Sequence, residues 1–426
     1  MHKTIATKSK IYILIFHIIY LYIFDEMTYQ PSYELLKKYA DVLVKFALRS
    51  GEWVKKDDVV FVQIPECAKP FYLPLQKAIL EVGAHPIMEY LPDGVARHFF
   101  EHANDDQIVF YPSHLFHGKV EQMTHVISVI AEADKFELKD IDPKKLAARI
   151  HSRKEYKEKR MKKEMDGKMT RTLGLYGTQA MADEAHMSLE EYRQEIIKAC
   201  YLDLDDPIVE RKKTFKNTEE IKNKLNALPI EWVHVEWEDA DLNIKIWTNR
   251  QRLGWWGRNI PSFEIFTSPD RRETNGWIRF NQPLYYYGQI IKDIYLKFEN
   301  GIIVDFDAAQ NKQLLQEMIK IPNMNKVWEF SLTDGRFSHI TKFMGETLYD
   351  ENMWGPEGNT HIAIGSAFND AFKGDASTLT EKDVDALGFN QSSGHTDIVS
   401  TARRTVTATL SDGTQKVIYQ NGQFTL

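Results

Sequence analysis

The sequence predicts two domains, an N-terminal α/β domain with a mostly parallel sheet and a C-terminal, β-rich α+β domain. Three observations predict this fold class. The chain has 426 residues, more than a single hydrophobic core usually serves. Its first half alternates helical and strand patterns, whereas its second half consists mainly of short runs in which apolar and polar residues alternate. We expect an N-terminal extension over 1–27 and domains over 28–225 and 226–426.

The first half has the rhythm of βαβ units. Ser32 is a suitable N-cap for a helix whose apolar residues recur at helical spacing as far as Ala47. The β-branched run 59–64 predicts a buried strand that Pro65 ends, and 68–81 predicts a helix. Further strands are predicted at 86–90 and 125–131. Strands that alternate with helices in this way are typical of a parallel sheet with crossover helices.

The second half begins after a polar helix predicted around 214–228. Beyond it, runs of alternating apolar and polar residues predict strands, and the pairs Asn300-Gly301 and Asn421-Gly422 are turn signals. The predicted strands are 232–237, 242–247, 290–298, 302–306, 405–410 and 417–419.

The first residues differ in composition from the rest of the chain. Residues 11–24 form an apolar run of fourteen, interrupted by His17. A membrane-spanning helix needs about 20 apolar residues, and no small-residue cleavage site follows the run as it would in a signal peptide. We therefore interpret this stretch as an upstream extension, with translation beginning at Met27, and expect no membrane partner. A membrane-tethered protein is the alternative if 11–24 is translated.

Composition and motifs exclude several classes of protein. Lys and Arg total 54 against 61 Asp and Glu, so the net charge is −7 and nucleic acid is not an expected partner. The two cysteines, Cys67 and Cys200, exclude a disulfide scaffold and a thiolate zinc site, and they agree with a cytoplasmic protein. Glycine-rich nucleotide motifs, H-E-x-x-H and G-x-S-x-G are all absent. The basic segment 153–168 is interpreted as a solvated helix face.

Carboxylates and histidines in apolar surroundings indicate that the candidate metal-binding and catalytic residues lie in the second half. Glu264 lies in a strand-like apolar run, and Glu329 stands between two aromatic residues. In an extended strand, His395 and Asp397 face the same side and can reach one ion together. Such donors suit divalent ions such as zinc, cobalt or manganese. Taken singly, each of these residues is better explained as half of a buried ion pair or as a core histidine, and only the presence of six such residues in one half shifts that balance.

Several motifs occur in a fixed order along both halves. They are 178–182 (TQAMA), 187–192 (MSLEEY), 259–269 (NIPSFEIFTSP), 275–305, 347–352 (TLYDEN), 361–365 (HIAIG) and 390–397 (NQSSGHTD). In wording and order these motifs resemble the metallo-aminopeptidases of the aminopeptidase T / aminopeptidase S type. The resemblance extends from about Tyr33 to the C-terminus.

The resemblance implies a two-metal exopeptidase that removes N-terminal residues from short peptides. Carried over position by position, the metal ligands are Glu264, Glu329, Glu351, His361, His395 and Asp397. It also implies that Glu329 bridges the ions and that Glu264 or Glu351 moves the proton, so Glu264 and Glu329 are the catalytic candidates. The two divalent ions would be zinc, cobalt, manganese or magnesium, and the enzyme would be a cytoplasmic homodimer.

The sequence departs from the family pattern around these residues. Phe263 and Trp328 stand where the family has glycine before a glutamate, and Phe368 replaces a tyrosine. The stretch 352–360 is longer than usual, so either the ligands that flank it are displaced or a loop overhangs the site. The alternative function is therefore a metal-binding but catalytically weak or inactive homologue that binds peptides or has a structural role. Retention of all six ligands favours an active enzyme.

Aromatic residues near the motifs have two interpretations. They either line a substrate cleft between the domains or pack in the core. The residues concerned are Trp255, Trp256, Phe263 and 285–287.

Overall fold

The structure, a computed structural model, describes residues 30–48, 54–254, 257–286 and 289–426. The apolar run 11–24 and the expected start at Met27 lie outside these residues, as do Trp255, Trp256 and Tyr287. Within the described ranges, no helix combines the length and the apolar composition needed to cross a membrane.

The helices and strands follow the chain in this order. The α-helices are α1 (Tyr33–Val42), α2 (Tyr72–Glu81), α3 (Val95–His102), α4 (Asp105–Val109), α5 (Ser113–Gln122), α6 (Pro143–Ser152), α7 (Lys154–Met165), α8 (Gln179–Glu184), α9 (Leu189–Ala199), α10 (Pro207–Ala227), α11 (Lys312–Lys320), α12 (Thr347–Asp350) and α13 (Glu381–Ala386). The strands are β1 (Val59–Pro65), β2 (His85–Leu91), β3 (His125–Ile130), β4 (Thr170–Leu175), β5 (Ile230–Trp237), β6 (Ala240–Lys245), β7 (Leu253–Gly254), β8 (Asn259–Ile260), β9 (Glu264–Thr267), β10 (Thr274–Phe280), β11 (Leu284–Tyr286), β12 (Gln289–Ile291), β13 (Ile294–Glu299), β14 (Ile302–Asp307), β15 (Val327–Thr333), β16 (Asn359–Gly365), β17 (His395–Ser400), β18 (Thr405–Leu410), β19 (Gln415–Gln420) and β20 (Gln423–Phe424).

The first half folds around a parallel sheet with the strand order β2-β1-β3-β4-β8. Val60, Val62 and Ile64 of the interior strand β1 are fully buried, as the β-branched run predicts. Helix α1 begins where the sequence predicts, because the Ser32 hydroxyl accepts a hydrogen bond from the Leu35 N–H at 3.2 Å. Its last turns widen into a π-helix over Leu43–Ala47. The predicted α/β class is confirmed here.

The second half contains two antiparallel sheets. The larger has the order β14-β13-β10-β6-β5-β18-β19-β20, and the smaller has the order β17-β16-β15-β9-β7. Strands β11 and β12 form a separate hairpin. The predicted hairpin at Asn300-Gly301 is present, with Asn300 at φ 50° and Gly301 at φ 77° joining β13 to β14. The predicted β-rich C-terminal region is therefore confirmed.

Three predicted elements need correction. The predicted strand 290–298 is two strands, β12 and β13, because Asp293 adopts a left-handed φ of 54° that ends one sheet and begins another. The predicted helix 68–81 begins as a 3₁₀ helix over Glu66–Phe71 and becomes α-helical at Tyr72. The polar helix predicted at 214–228 starts earlier, at Pro207, where the Asp206 carboxylate accepts from the N–H groups of Ile208 and Val209.

Strand β8 connects the two halves. It follows the predicted boundary in the sequence, yet it pairs in parallel with β4 of the first sheet, with Leu173 opposite Asn259 and Gly174 opposite Ile260. Three residues later, β9 enters the smaller antiparallel sheet. The division into 28–225 and 226–426 remains a prediction.

Candidate metal centre

Five of the six predicted ligands project from one face of the smaller antiparallel sheet. Residues directly opposite each other in antiparallel strands share a face, and so do alternate residues of one strand. The register aligns Glu329 with Ala363 and Asp397, Ser331 with His361, Thr333 with Glu264, and Gly365 with His395. Since Glu329, Ser331 and Thr333 alternate along β15, all five ligands lie on the same side.

A β-bulge at Trp328 shapes one edge of this face. The register shifts between Val327 and Glu329, which leaves Trp328 as the extra residue of β15. Its fully buried ring lies beside the His395 imidazole, with the centroids 4.4 Å apart, and meets the Phe368 ring edge-on at 5.0 Å. The indole therefore supports the ring of one predicted ligand from the side.

Glu264, Glu329 and His361 bring their donor atoms together most closely. Nε2 of His361 lies 3.2 Å from Oε1 of Glu329 and 3.3 Å from Oε2 of Glu264. One donor atom from each residue lies within 4.8 Å of the other two. All three residues are buried, and the Ser331 hydroxyl donates to Oε2 of Glu264 at 2.8 Å. These three residues form the centre of the candidate site.

The orientation of His361 is fixed by a backbone contact. Its Nδ1 lies 3.1 Å from the carbonyl oxygen of Glu351, which can only accept a hydrogen bond, so Nδ1 carries the proton. Nε2 then points its lone pair towards the two glutamates. This arrangement, in which the second ring nitrogen donates to a carbonyl, is the usual one for a metal-binding histidine.

His395 and Asp397 form an ion pair beside this centre. Nε2 of His395 lies 2.8 Å from Oδ2 of Asp397, and the other oxygen of Asp397 is 4.0 Å from Nε2 of His361. Although burial opposes the shift, the Asp397 carboxylate raises the pKa of His395 to about 9. Burial likewise opposes the shift at Asp397, where the His395 cation lowers the pKa of the carboxyl. Asp397 is therefore an anion of the site at neutral pH.

Glu351 reaches the site from a helix end rather than from a strand. It directly follows α12, it is buried, and its carboxylate lines the same cavity as Glu264, Glu329 and Asp397. Asn352 holds this turn in place, since its Nδ2 donates to Oε1 of Glu351 at 3.3 Å and its Oδ1 accepts from the Phe263 N–H at 2.6 Å.

Replacing Asn352 with alanine should therefore affect both stability and metal affinity. The change leaves the buried Phe263 N–H without its acceptor, which should lower the free energy of unfolding by about 2–3 kcal/mol. Loss of an orienting contact to a ligand should weaken metal binding by about 10- to 100-fold. Chemical denaturation and metal titration of Asn352→Ala measure the two effects. The exposed Asn217→Ala on α10 is the control, expected to change stability by less than about 0.5 kcal/mol.

The carboxyl groups of the site hold protons tightly in the absence of a cation. Burial, followed by the negative charge of Glu329, raises the pKa of Glu264 to about 8. Burial and the charge of Asp397 raise the pKa of Glu329 well above its usual range. Burial and the charge of Glu264 do the same to the pKa of Glu351. Several acids of like charge in one buried place are costly unless protons or cations neutralise them.

A divalent cation fits this chemistry. Nε2 of His361 and Oε1 of Glu329 are both acceptors in their neutral histidine and ionised carboxylate forms, so their contact at 3.2 Å needs a proton or a cation between them. A cation would take the place of that proton and neutralise the surrounding acids. Mixed carboxylate and imidazole donors suit zinc, cobalt, manganese or magnesium. The donor set therefore agrees with a metal centre rather than with a set of simple ion pairs.

The centre opens into a cavity of about 120 Å³. The cavity is lined by Arg171, Arg258, Asn259, Ser262, Glu264, Phe266, Glu329, Glu351, Phe368, His395 and Asp397. On the other side of His395 and Asp397 lies a further cavity of about 390 Å³, lined by Leu284, Tyr285, Tyr286, Thr347 and Thr396 together with that ion pair.

Comparison with known proteins identifies the family. A family model described as thermophilic metalloprotease (M29) matches residues 32–424, which is most of the chain. The chain belongs to the M29 metalloprotease family. The aminopeptidase AmpS of Bacillus subtilis is 25% identical to this M29 protein, covering 89% of its chain and 97% of AmpS. Aminopeptidase 2 of Geobacillus stearothermophilus is also 25% identical, with 91% and 97% covered.

A solved structure shares the fold of this M29 protein. AmpT from Thermus thermophilus matches it with a TM-score of 0.78 at 20% identity, covering 92% of this chain and 99% of AmpT. This likeness confirms the predicted fold class. Together with the family match, the aminopeptidase relatives confirm the predicted resemblance to the aminopeptidase T / aminopeptidase S type.

The aromatic departures of the M29 protein occupy positions that the sequence does not reveal. Phe263 is buried in the interior, where its ring meets that of Tyr201 edge-on at 6.2 Å. Trp328 supports His395, as described above. Phe368 lines the cavity itself, and its ring is one of the walls around the predicted ligands. Of the three, Phe368 is thus the departure with direct access to a bound substrate.

None of the residues of the longer stretch 352–360 lines the cavity of the predicted ligands, and the two residues that flank it are in contact. Asn359 ties the loop together, since its Nδ2 donates to the carbonyl oxygens of Met353 at 2.5 Å and of Glu351 at 3.3 Å. Glu351 and His361 stay in contact across the loop at 3.1 Å. The loop folds inward on these buried polar contacts, and the two alternatives stated for it, displaced ligands or an overhanging loop, stay predictions.

Several residues of the centre were not found from the sequence. Ser331 lies two residues after Glu329, so strand alternation placed it on the ligand face, and Asn352 belongs to the TLYDEN motif. Arg171 and Arg258 had no local signal, because they reach the cavity from β4 and from the residue before β8, far apart in the sequence. Of the expected cleft aromatics, Tyr285 and Tyr286 line the cavity beside His395.

Proposed function

We propose that this M29 protein is a metal-dependent aminopeptidase that hydrolyses N-terminal residues from short peptides with two divalent ions. The observation that carries the proposal is the buried Glu264–Glu329–His361 group, which lies at a cavity in a chain whose relatives are named aminopeptidases. The proposed metal ligands are Glu264, Glu329, Glu351, His361, His395 and Asp397.

The positions of these residues suggest how the work is divided. Glu329 contacts His361, and its carboxyl interacts electrostatically with both Asp397 and His395, so we assign it the place between the two ions. Bound ions would supply polarisation of the scissile carbonyl and a source of hydroxide near neutral pH. Glu264, held at Oε2 by Ser331, and Glu351 both line the cavity, and we assign the proton transfer to one of these two carboxylates.

The alternative, an inactive or structural homologue, has less support from the packing. Phe263 and Trp328 are accommodated in the interior, so neither fills the cavity. Of the three departures from the family pattern, only Phe368 lines the cavity, so it is the only one of the three that a substrate there can touch. We further propose that the enzyme is a cytoplasmic homodimer, which light scattering of the purified protein would test.

The direct test is metal-dependent release of N-terminal residues. The protein is stripped with a chelator, restored with zinc, cobalt, manganese or magnesium, and assayed with aminoacyl-arylamides and dipeptides. We expect the stripped protein to be inactive and at least one ion to restore activity, with two equivalents bound per chain by elemental analysis. An N-acetylated copy of each peptide, which lacks the free amine, is the matched control and should not be cleaved.

Two results would count against the proposal. Stoichiometric metal without turnover of any substrate would remove the peptidase assignment and favour the inactive homologue. Full activity with a single bound equivalent would remove the two-ion arrangement.

A further inference from the structure

Two arginines stand where the metal cavity meets a larger one. Arg171, Arg258 and Phe368 line both the cavity of the metal ligands and an outer cavity of about 580 Å³ beside helix α7. The side chains of Arg171 and Arg258 are 32% and 28% exposed, so both cations are partly withdrawn from water. They form a cationic boundary between the reacting centre and the outside.

In the part of the chain that the structure describes, two acids contact these two arginines, and they leave part of the Arg171 guanidinium without an ion pair. Glu164 serves both guanidinium groups, with Oε2 3.2 Å from Nε of Arg171 and Oε1 2.9 Å from Nε of Arg258. Asp370 is the second acid, 3.5 Å from Nη1 of Arg258. Among the residues that the structure describes, Arg171 makes its ion pair through Nε, so its two terminal amino groups can serve a ligand.

The lining of the outer cavity is positively charged, whereas the protein as a whole is negatively charged. Four cationic side chains and two acidic ones line it, whereas the chain carries a net charge of −7. The cations are Lys157, Arg160, Arg171 and Arg258, and the acids are Glu164 and Asp370. A positively charged cavity with low-dielectric walls concentrates anions. The basic segment predicted to be only a solvated face thus contributes to a cavity.

The dimensions point to a particular anion. The arginines line the same cavity of about 120 Å³ as the proposed metal ligands, and one residue of extended chain spans only about 3.3–3.6 Å. A peptide whose N-terminal residue is held at the metal ligands therefore has its second residue inside the cavity that the two arginines line. Guanidinium groups bind carboxylates with paired, charge-assisted hydrogen bonds.

We propose that Arg171 and Arg258 form a carboxylate subsite that selects peptides carrying a carboxylate on their second residue. In a dipeptide this group is the free C-terminus, and in a longer peptide it is an acidic side chain. The subsite rests on the proposed aminopeptidase function and specifies its substrate class.

Matched substrates test the subsite. Leu-Ala is compared with Leu-Ala-amide, and Leu-Asp-amide with Leu-Asn-amide, on the metal-loaded full chain. We expect the wild type to prefer Leu-Ala over its amide by about 10- to 100-fold in kcat/KM, the scale of one charge-assisted hydrogen bond. Arg171→Gln should raise KM for Leu-Ala by a similar factor. It should leave kcat for Leu-Ala, and kcat/KM for Leu-Ala-amide, within about twofold of the wild-type values.

Controls separate charge from folding. Arg171→Gln leaves Glu164 paired with Arg258, and Arg171→Lys retains the charge and should recover part of the preference. Lys162→Gln makes the same charge change on α7 at a side chain that is 76% exposed and paired with Asp166, and it should behave as wild type. Thermal unfolding of each variant checks that the fold is intact.

Each outcome decides a different question. A preference for Leu-Asp-amide over Leu-Asn-amide without one for Leu-Ala would identify the acidic side chain as the source of the carboxylate. Equal kcat/KM for all four substrates, or an equal loss on acid and amide in Arg171→Gln, would overturn the subsite while leaving the aminopeptidase intact. Cleavage of none of the four would instead contradict the proposed function itself.

Discussion

Glu329→Gln should lower kcat/KM by on the order of 10³-fold and reduce the metal content of the purified protein. The variant keeps the shape of the side chain but removes the negative charge that faces His361, Asp397 and His395. Metal ions contribute several kcal/mol to transition-state stabilisation, and each 1.36 kcal/mol corresponds to a tenfold change in rate. Steady-state kinetics and elemental analysis of the same preparation measure both quantities.

The control for this variant is a Glu→Gln substitution elsewhere in the second half of the chain. Glu357→Gln changes a glutamate of the 352–360 loop whose side chain is 41% exposed and pairs with Arg403, and activity should stay within about twofold of wild type. Unchanged activity and full metal content in Glu329→Gln would show that this carboxylate is not a ligand.

The metal-free protein should lose stability as the pH rises from 5 to 9, with Tm falling by on the order of 5 °C. Glu264 has a pKa of about 8 in the folded protein against an ordinary value of 4.5, first because of burial and then because of Glu329. A raised folded pKa stabilises the protein fully below the unfolded value, and this contribution is lost as the pH rises through the folded value. Glu329 and Glu351 act in the same direction.

The ion pair of the site does not reverse this trend. His395, with a pKa of about 9 against 6.5, also loses its stabilising contribution as the pH rises towards 9. The lowered pKa of Asp397 affects stability only in acid, below its ordinary value of 3.8. Within the window of 5 to 9, every shifted group of the centre therefore favours the lower pH.

Adding metal should remove most of this pH dependence, because a cation takes the place of the protons on the buried acids. Differential scanning calorimetry at several pH values, with and without the restoring ion, makes the comparison. The gap in Tm between loaded and stripped protein should widen as the pH rises. A gap that narrows would mean that these carboxyl groups do not bind the ion.

The sequence predicted the ligand face because strand periodicity is local. Alternation alone places His395 and Asp397 on one side of a strand, and the structure has them 2.8 Å apart on β17. The family resemblance added Glu264, Glu329 and His361, which come from three other strands that no local pattern brings together. The antiparallel register that does so is a property of the whole sheet.

What escaped prediction depends on non-local contacts or on single backbone angles. The bulge at Trp328 is defined only by the pairing with the partner strand β16. The sequence therefore could not show whether the Trp328 side chain fills the cavity or packs beside it. The break at Asp293 depends on one left-handed residue within an otherwise regular apolar run. The arginines of the cavity come from β4 and from beside β8, and their proximity follows from a crossover between the halves.

The two-residue strand β8 has a consequence for how the enzyme is made. Until the ribosome has synthesised residues 259–260, β4 has no partner on that side, and an open strand edge in a nascent chain invites association with other chains. Glu264 follows β8 after three residues, so closing the first sheet and anchoring the first ligand strand are nearly the same event. The remaining proposed ligands are synthesised only afterwards, up to Asp397. A peptide-cleaving centre therefore cannot be assembled on a chain that is still being translated through its first half.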